Sequence, residues 1–278
     1  MTARQVTMRL LIDVGNTRLK WARLHGSRLG PMHAAVHAGW SSDDYRRALA
    51  PALRDVEAVE VVSVAGARVD RALTRASRVL CRAAPRFVSS TRRAAGVSNG
   101  YREVWRLGAD RWVAAIGGWH LPARRGRSVC VVDIGTATTI DLVDEQGRHR
   151  GGTIVPGPAL MVSSLLQGTR GIKRRAVGAA ATNVPPVPFA RSTRAALEAG
   201  AYHAVAALID RAVDAARQLT GRRPLLLLTG GAAPAIARHV RRPHVVVPDL
   251  VLRGLVALVD ASPLPPRRMR ASHRGGKS

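Results

Sequence analysis

Two segments of this chain repeat one design: an apolar run rich in β-formers ends in aspartate, a glycine follows two residues later, and the chain turns back as a second strand. The first copy runs from Met8 to Val14, turns at Gly15-Asn16-Thr17 and returns over Arg18 to Leu24. The second runs from Ser128 to Ile134, turns at Gly135-Thr136-Ala137 and returns over Thr138 to Val143. Asp13 and Asp133 are 120 residues apart, about one domain length, so a duplicated fold is predicted whose halves face each other. A length of 278 residues accommodates two such halves. They are partitioned at 1–118 and 119–262, with Gly117 to Arg127 as the candidate linker. The basic stretch 263–278 is nearly free of apolar residues and reads as a disordered tail.

Short apolar runs at Val59 to Val64, Phe87 to Ser90, Leu225 to Leu228 and Val245 to Val247 read as further strands. Helical patterning covers Leu107 to Trp119, Ala159 to Leu166 and Leu250 to Asp260, and begins again near Pro234. A long alanine-rich helix is expected from a Ser192 or Thr193 cap to about Leu219, ended by Gly221. Gly168 to Pro188, with Lys173-Arg174-Arg175, lacks periodicity and reads as a lid or surface loop. Alternating strands and helices place the chain in the α/β class.

A carboxylate at the end of an apolar strand is costly to bury without compensation, and a bound cation supplies it. Gly15 and Gly135 permit a close backbone approach, while Asn16, Thr17 and Thr136 add side-chain donors beside main-chain N–H groups, a combination that cradles phosphate. Arg18 and Lys20 alternate onto one face of the returning strand and bring charge to the same place. One such turn is commonly a structural hairpin; two copies, joined by Thr229-Gly230-Gly231 after a buried strand, point to nucleotide chemistry. Two facing turns with a divalent metal between them would transfer a phosphoryl group by positioning and charge neutralisation. Asp110 opens a predicted helix; it reads either as a dipole-stabilising helix-start residue or as a base for an acceptor hydroxyl.

Weaker signals fall away. Cys81 and Cys130 have no metal-ligand spacing and no disulfide framework, which suits a reducing compartment. Asp13 interrupts the apolar start, and no stretch approaches the ~18 apolar residues of a membrane span, so a cytoplasmic enzyme is expected. His33 and His37 have helix-ligand spacing but no acidic partner, and read as a solvated or partly packed pair. The final Gly276-Lys277-Ser278 has Ala271 where a phosphate loop needs glycine. The net charge of +26 comes from 44 basic against 18 acidic residues. Only Lys20, Lys173 and Lys277 are lysines, so the excess is arginine spread evenly along the chain, which reads as residue bias more than as a nucleic-acid footprint.

The ordered motifs resemble type III pantothenate kinase, of the acetate and sugar kinase/Hsp70/actin superfamily. The resemblance is carried by Asp13-Val14-Gly15-Asn16-Thr17 with Lys20, by Leu107 to Arg111, and by Asp133-Ile134-Gly135-Thr136-Ala137-Thr138. It continues through Gly151 to Gly157, Ser192-Thr193 with Ala196 and Gly200, and Thr229-Gly230-Gly231. It implies two duplicated actin-like (ribonuclease H-like) ATPase domains with mixed sheets, and phosphorylation of pantothenate by ATP at the start of coenzyme A synthesis. By residue, it implies ATP contacts at Asp13, Val14, Gly15, Asn16, Thr17, Arg18, Leu19, Lys20 and Thr136. Pantothenate contacts are implied at Tyr101, Gly108, Ala109, Asp110, Arg111 and Thr193, with Asp110 as catalytic base and Asp133 as ligand of a monovalent cation, potassium or ammonium. Magnesium and a homodimer that builds the substrate pocket at its interface are implied as well. Val104 departs from the family pattern, which commonly has proline there. A related kinase with another small acceptor, or an accessory factor to a transcription regulator, is the alternative.

Overall fold

The computed structural model describes residues 8–81, 83–176, 184 and 186–261. The expected tail, 263–278, and much of 168–188 lie outside the described residues. The chain opens with the strands β1 (Met8–Val14), β2 (Arg18–His25), β3 (Arg28–Leu29) and β4 (His33–Val36), followed by helix α1 (Ser42–Leu49), β5 (Ala58–Ser63), α2 (Ala67–Cys81) and β6 (Arg86–Phe87). A small hairpin, β7 (Arg93–Ala94) with β8 (Val97–Ser98), leads into α3 (Ala109–Trp119). The second half contains β9 (Val129–Ile134), β10 (Ala137–Val143), β11 (His149–Pro156), α4 (Pro158–Gly168), α5 (Arg170–Arg175) and α6 (Thr193–Thr220). It closes with β12 (Leu225–Thr229), α7 (Ala233–Ala237), β13 (His244–Val246) and α8 (Leu250–Ala261).

Both mixed sheets have the same plan. In the first, β1 pairs antiparallel with β2 and parallel with β5, which pairs parallel with β6. In the second, β9 pairs antiparallel with β10 and parallel with β12, which pairs parallel with β13, while β11 occupies beside β10 the place that β4 takes beside β2. The strand-turn-strand repeat of the sequence is therefore the centre of a duplicated sheet.

Alternation along each strand sorts the side chains into layers. Leu10, Ile12 and Val14 face outward onto α1 and α2 with Tyr45, Leu49 and Leu73. Leu11, Ala22, Leu24 and Val62 face inward, onto α3 and α8. From the other side Val129, Val131, Leu225 and Leu227 meet the same two helices, while Cys130, Val132 and Ile134 face outward onto α6 and α7. The result is helix, sheet, helix, sheet, helix, with α3 and α8 shared between the halves. β1 through β6 precede residue 118 and β9 through β13 follow it.

Glycine misleads at the expected linker. Gly117 and Gly118 lie inside α3 and are buried, because a Cβ at Gly117 would overlap the Leu250 carbonyl and one at Gly118 would meet Val131 at 2.7 Å. They are packing glycines, and the chain leaves the helix only at His120. The expected loop from Gly168 also begins with a helix, α5, which carries Lys173, Arg174 and Arg175. The strands β3, β4, β7, β8 and β11 and the helices α1 and α2 have no counterpart in the sequence reading. The long helix appears as expected, with Ser192 accepting from the Ala195 N–H at 3.2 Å and Gly221 closing it at φ 73°.

Candidate active site

The strand alternation that turns Leu11 and Val131 into the middle layer turns Asp13 and Asp133 the same way, one step further toward the turns. Their turns meet: the hydroxyls of Thr17 and Thr136 are 3.1 Å apart. Lys20, directly across from Asp13 in the ladder, places Nζ 3.9 Å from the Asp13 carboxylate and donates to the Pro248 carbonyl at 3.5 Å. Asp110, in the first turn of α3, enters the same space from the shared layer.

The convergence shapes the electrostatics. Burial pushes the Asp13 carboxyl up to about 7, with Lys20 opposing and Asp133 and Asp110 adding to the rise. Burial likewise raises Asp133 to about 6, again against Lys20 and with help from Asp110. Asp110 is raised by burial, partly offset by the Arg111 N–H that donates to its Oδ1 at 2.8 Å and by the Arg111 charge. Asp13 and Asp133 share the Lys20 ammonium group, and both feel the charge of Asp110.

Small residues bring the walls of this seam together. Gly230, at φ 94°, lies so close to β9 that a Cβ would overlap the Asp133 carboxylate and the Ile134 N–H at 2.5 Å. Gly157 seats its N–H on the Thr136 carbonyl at 2.8 Å, and a Cβ there would overlap Gly135. Arg18 crosses from the first turn to lie against Gly231. Val14 and Leu19, by contrast, are core residues, so their part in the turn is backbone geometry.

Beside Asp110 is a buried polar network. Arg111 forks onto Asp141, Nε at 2.8 Å and Nη2 at 2.7 Å, and donates Nη1 to the Tyr101 hydroxyl at 3.1 Å. His149 Nε2 lies 2.8 Å from the same Asp141 carboxylate, and its ring packs 5.8 Å from that of Tyr101. Sequence reasoning names Tyr101 and Arg111 but misses Asp141 and His149. Val104 opens a single 3-10 turn, and Asn99 holds the Tyr101 N–H at 2.9 Å. Gly108 and Ala109 begin α3. Thr193 starts α6, and no hydrogen bond among the described residues joins it to the aspartates.

No group of three or more His, Cys, Asp or Glu among the described residues is arranged to hold a metal ion. The expected histidine pair separates: His33 stacks on Trp21 at 5.7 Å from strand β4, whereas His37 is buried. A groove of about 870 Å³ between α6, the residues after α7 and Pro186 to Pro188 contains none of the seam residues.

Two duplicated mixed sheets, helices on both faces, and an aspartate seam walled by glycine turns define a two-domain actin-like ATPase fold. A protein from Sinorhizobium meliloti provisionally assigned as a 2-dehydro-3-deoxygalactonokinase shares that fold, with TM-score 0.57 and 13% identity over 92% of this chain and 100% of that one. A family model described as type III pantothenate kinase matches residues 9–215. The type III pantothenate kinase of Nitrosococcus oceani is 35% identical over 89% of this chain and 92% of its own length, and that of Azoarcus sp. 37% identical over 91% of both. The chain belongs to the type III pantothenate kinase family.

Proposed function

We propose that this enzyme transfers the γ-phosphoryl group of ATP to the terminal hydroxyl of pantothenate, giving 4'-phosphopantothenate for coenzyme A synthesis. The observation that carries the reading is the convergence of Asp13, Asp110, Asp133 and Lys20 where the two turns touch, in a chain of this family. The backbone from Asp13 to Lys20 cradles the phosphates, Thr136 meets them from the other turn, and Thr229-Gly230-Gly231 receives the adenosine. Asp110 accepts the hydroxyl proton, the oxygen attacks the γ-phosphorus, and the bond to the β-phosphate oxygen breaks to leave ADP. Tyr101, Gly108, Ala109 and Arg111 position the acceptor. Membership of the family favours this acceptor over another small molecule and over an accessory role to a transcription regulator.

The donor set fits cations. Magnesium keeps most of its waters and binds through one or two carboxylates plus phosphate, which suits the sparse, mutually repelling aspartates of the seam. Asp13 and Asp133 would hold such an ion, which when bound would neutralise charge on the transferring phosphoryl group. Thr229, fully buried and paired with Asp133 across the ladder, has a hydroxyl with no hydrogen-bond partner. That orphaned oxygen beside a carboxylate supports Asp133 as the seat of potassium or ammonium. Thr193, apart from the aspartates in its own chain, and the exposed apolar Ile154, Leu160 and Leu165 along β11 and α4 support a homodimer in which Thr193 reaches the partner's substrate. No helix among the described residues is long and apolar enough to cross a membrane, and a cytoplasmic site of action without nucleic acid completes the reading.

The test is ADP release by the purified protein with ATP, magnesium and potassium, with and without pantothenate. Turnover that does not depend on pantothenate rejects the proposed acceptor.

A further inference from the structure

A turn offers N–H groups to phosphate only while its carbonyl oxygens point elsewhere, and in the first turn one buried side chain sees to this. His37, one residue past β4 and 4% exposed, places Nε2 2.8 Å from the Gly15 carbonyl. Its own backbone N–H donates to the Thr17 carbonyl at 3.1 Å. On its far side Nδ1 lies 2.6 Å from the hydroxyl of Tyr45, which is 2% exposed in the outer layer. A carbonyl oxygen only accepts, so Nε2 carries the proton and Nδ1 accepts from Tyr45. Trp40 packs edge-on against both rings, at 6.3 and 5.1 Å, and fixes their angle. Gly15 N–H is bound to the Arg18 carbonyl at 3.0 Å, whereas among the described residues no hydrogen bond takes the N–H of Asn16 or of Thr17.

The second half supplies the comparison. The ladder pairs Arg18 with Val36 and Ala137 with Pro156, so His37 and Gly157 are equivalent. Both seat a backbone N–H on the threonine carbonyl of their turn, Thr17 or Thr136. At Gly157 the turn is so close that a Cβ would overlap the Gly135 carbonyl. In the first half, where the turn is one residue longer, a histidine ring fills that space and holds the corresponding carbonyl by a hydrogen bond.

We infer that His37 is a positioning residue for nucleotide binding, clamping the Gly15 carbonyl with its ring and the Thr17 carbonyl with its backbone N–H so that the N–H groups of the turn face the phosphates, with Tyr45 holding the ring in place. This rests on the reading of that turn as the phosphate cradle. The test compares ATP KM, pantothenate KM and calorimetric binding of a non-hydrolysable ATP analogue with magnesium, in His37→Leu, His37→Gln, Tyr45→Phe and Lys20→Ala. Loss of this part-buried hydrogen bond to the Gly15 carbonyl raises ATP KM and the analogue Kd about tenfold in His37→Leu, with pantothenate KM within about twofold of wild type. His37→Gln, whose amide N–H₂ can reach the Gly15 carbonyl while its oxygen accepts from Tyr45, restores most of the affinity. Tyr45→Phe shifts ATP KM the same way by about threefold, and this variant decides the matter if His37→Leu does not fold. If Lys20→Ala raises ATP KM while His37→Leu and Tyr45→Phe lower only the melting temperature, the clamp is overturned and the cradle stands. If none of them moves ATP KM, cradle and clamp fall together.

Discussion

Burial lifts the Asp110 carboxyl above the ordinary carboxylate value, against the pull of the Arg111 N–H and charge, and so makes it a stronger proton acceptor. As the proposed base Asp110 would act in its ionised form, so kcat/KM is expected to fall as pH drops through that raised value, with the acid limb of the pH-rate profile above the usual carboxylate range. Asp110→Asn lowers kcat by ~10²-fold or more and leaves binding of the ATP analogue nearly intact; full activity in this variant removes Asp110 as base. Asp141 works one step behind. It accepts from two nitrogens of Arg111 and faces His149, at 3% side-chain exposure, so Asp141→Asn turns an amide N–H₂ against a guanidinium or an imidazole. We expect a urea-unfolding loss of about 3 kcal/mol and a pantothenate KM raised more than that for ATP. Asp13, Lys20, Asp110 and Asp133 were legible because their chemistry is written in short local motifs. His37 and His149 were not, because their partners come from other strands and only the sheet pairing reveals them. Asp141 could have been found: it interrupts an apolar strand between Ile140 and Leu142, the signal that singled out Asp13.

At the scale of elements, the contact between α3 and α8 decides how the halves are joined. Gly117 lies against the Leu250 carbonyl and Gly254, and a Cβ on Gly254 would overlap the Val113 carbonyl. Backbone cannot retreat as a flexible side chain can, so Gly254→Ala forces the helices apart and costs about 2 to 3 kcal/mol, read as a lower urea midpoint with an unchanged slope. A midpoint equal to wild type would show that the helices slide freely. Most elements could be read from period and caps, as with α6 between Ser192 and Gly221. The misplaced linker has a physical cause. Glycine marks a chain break when exposed and a close helix crossing when buried, and Gly117-Gly118 look the same in both cases. Helix α1 is short, and its Ser41-Asp44 capping box was the available signal.

The molecule as a whole carries a pH dependence set by its seam. Asp13 and Asp133 titrate near 7 and 6 in the folded protein against an ordinary 3.8, so between these values the folded state holds protons that the unfolded chain has released. Their stabilising contribution is complete below about pH 4 and is lost as pH rises through 6 and 7. The melting temperature of nucleotide-free, metal-free protein therefore falls between pH 5 and pH 8, and magnesium with nucleotide flattens the slope; a melting temperature that rises over this interval refutes the assignment. The seam has one more property. Copies of a motif brought turn to turn begin as equals, but a nucleotide has a base at one end and a reactive phosphate at the other, and cannot be served by equals. In the ladder the neighbour of Asp13 is Lys20, whereas the corresponding neighbour of Asp133 is Thr139. That difference sets the shared counterion directly across the ladder from one aspartate and only within electrostatic reach of the other, so the two inherited halves no longer present the same charge to a ligand.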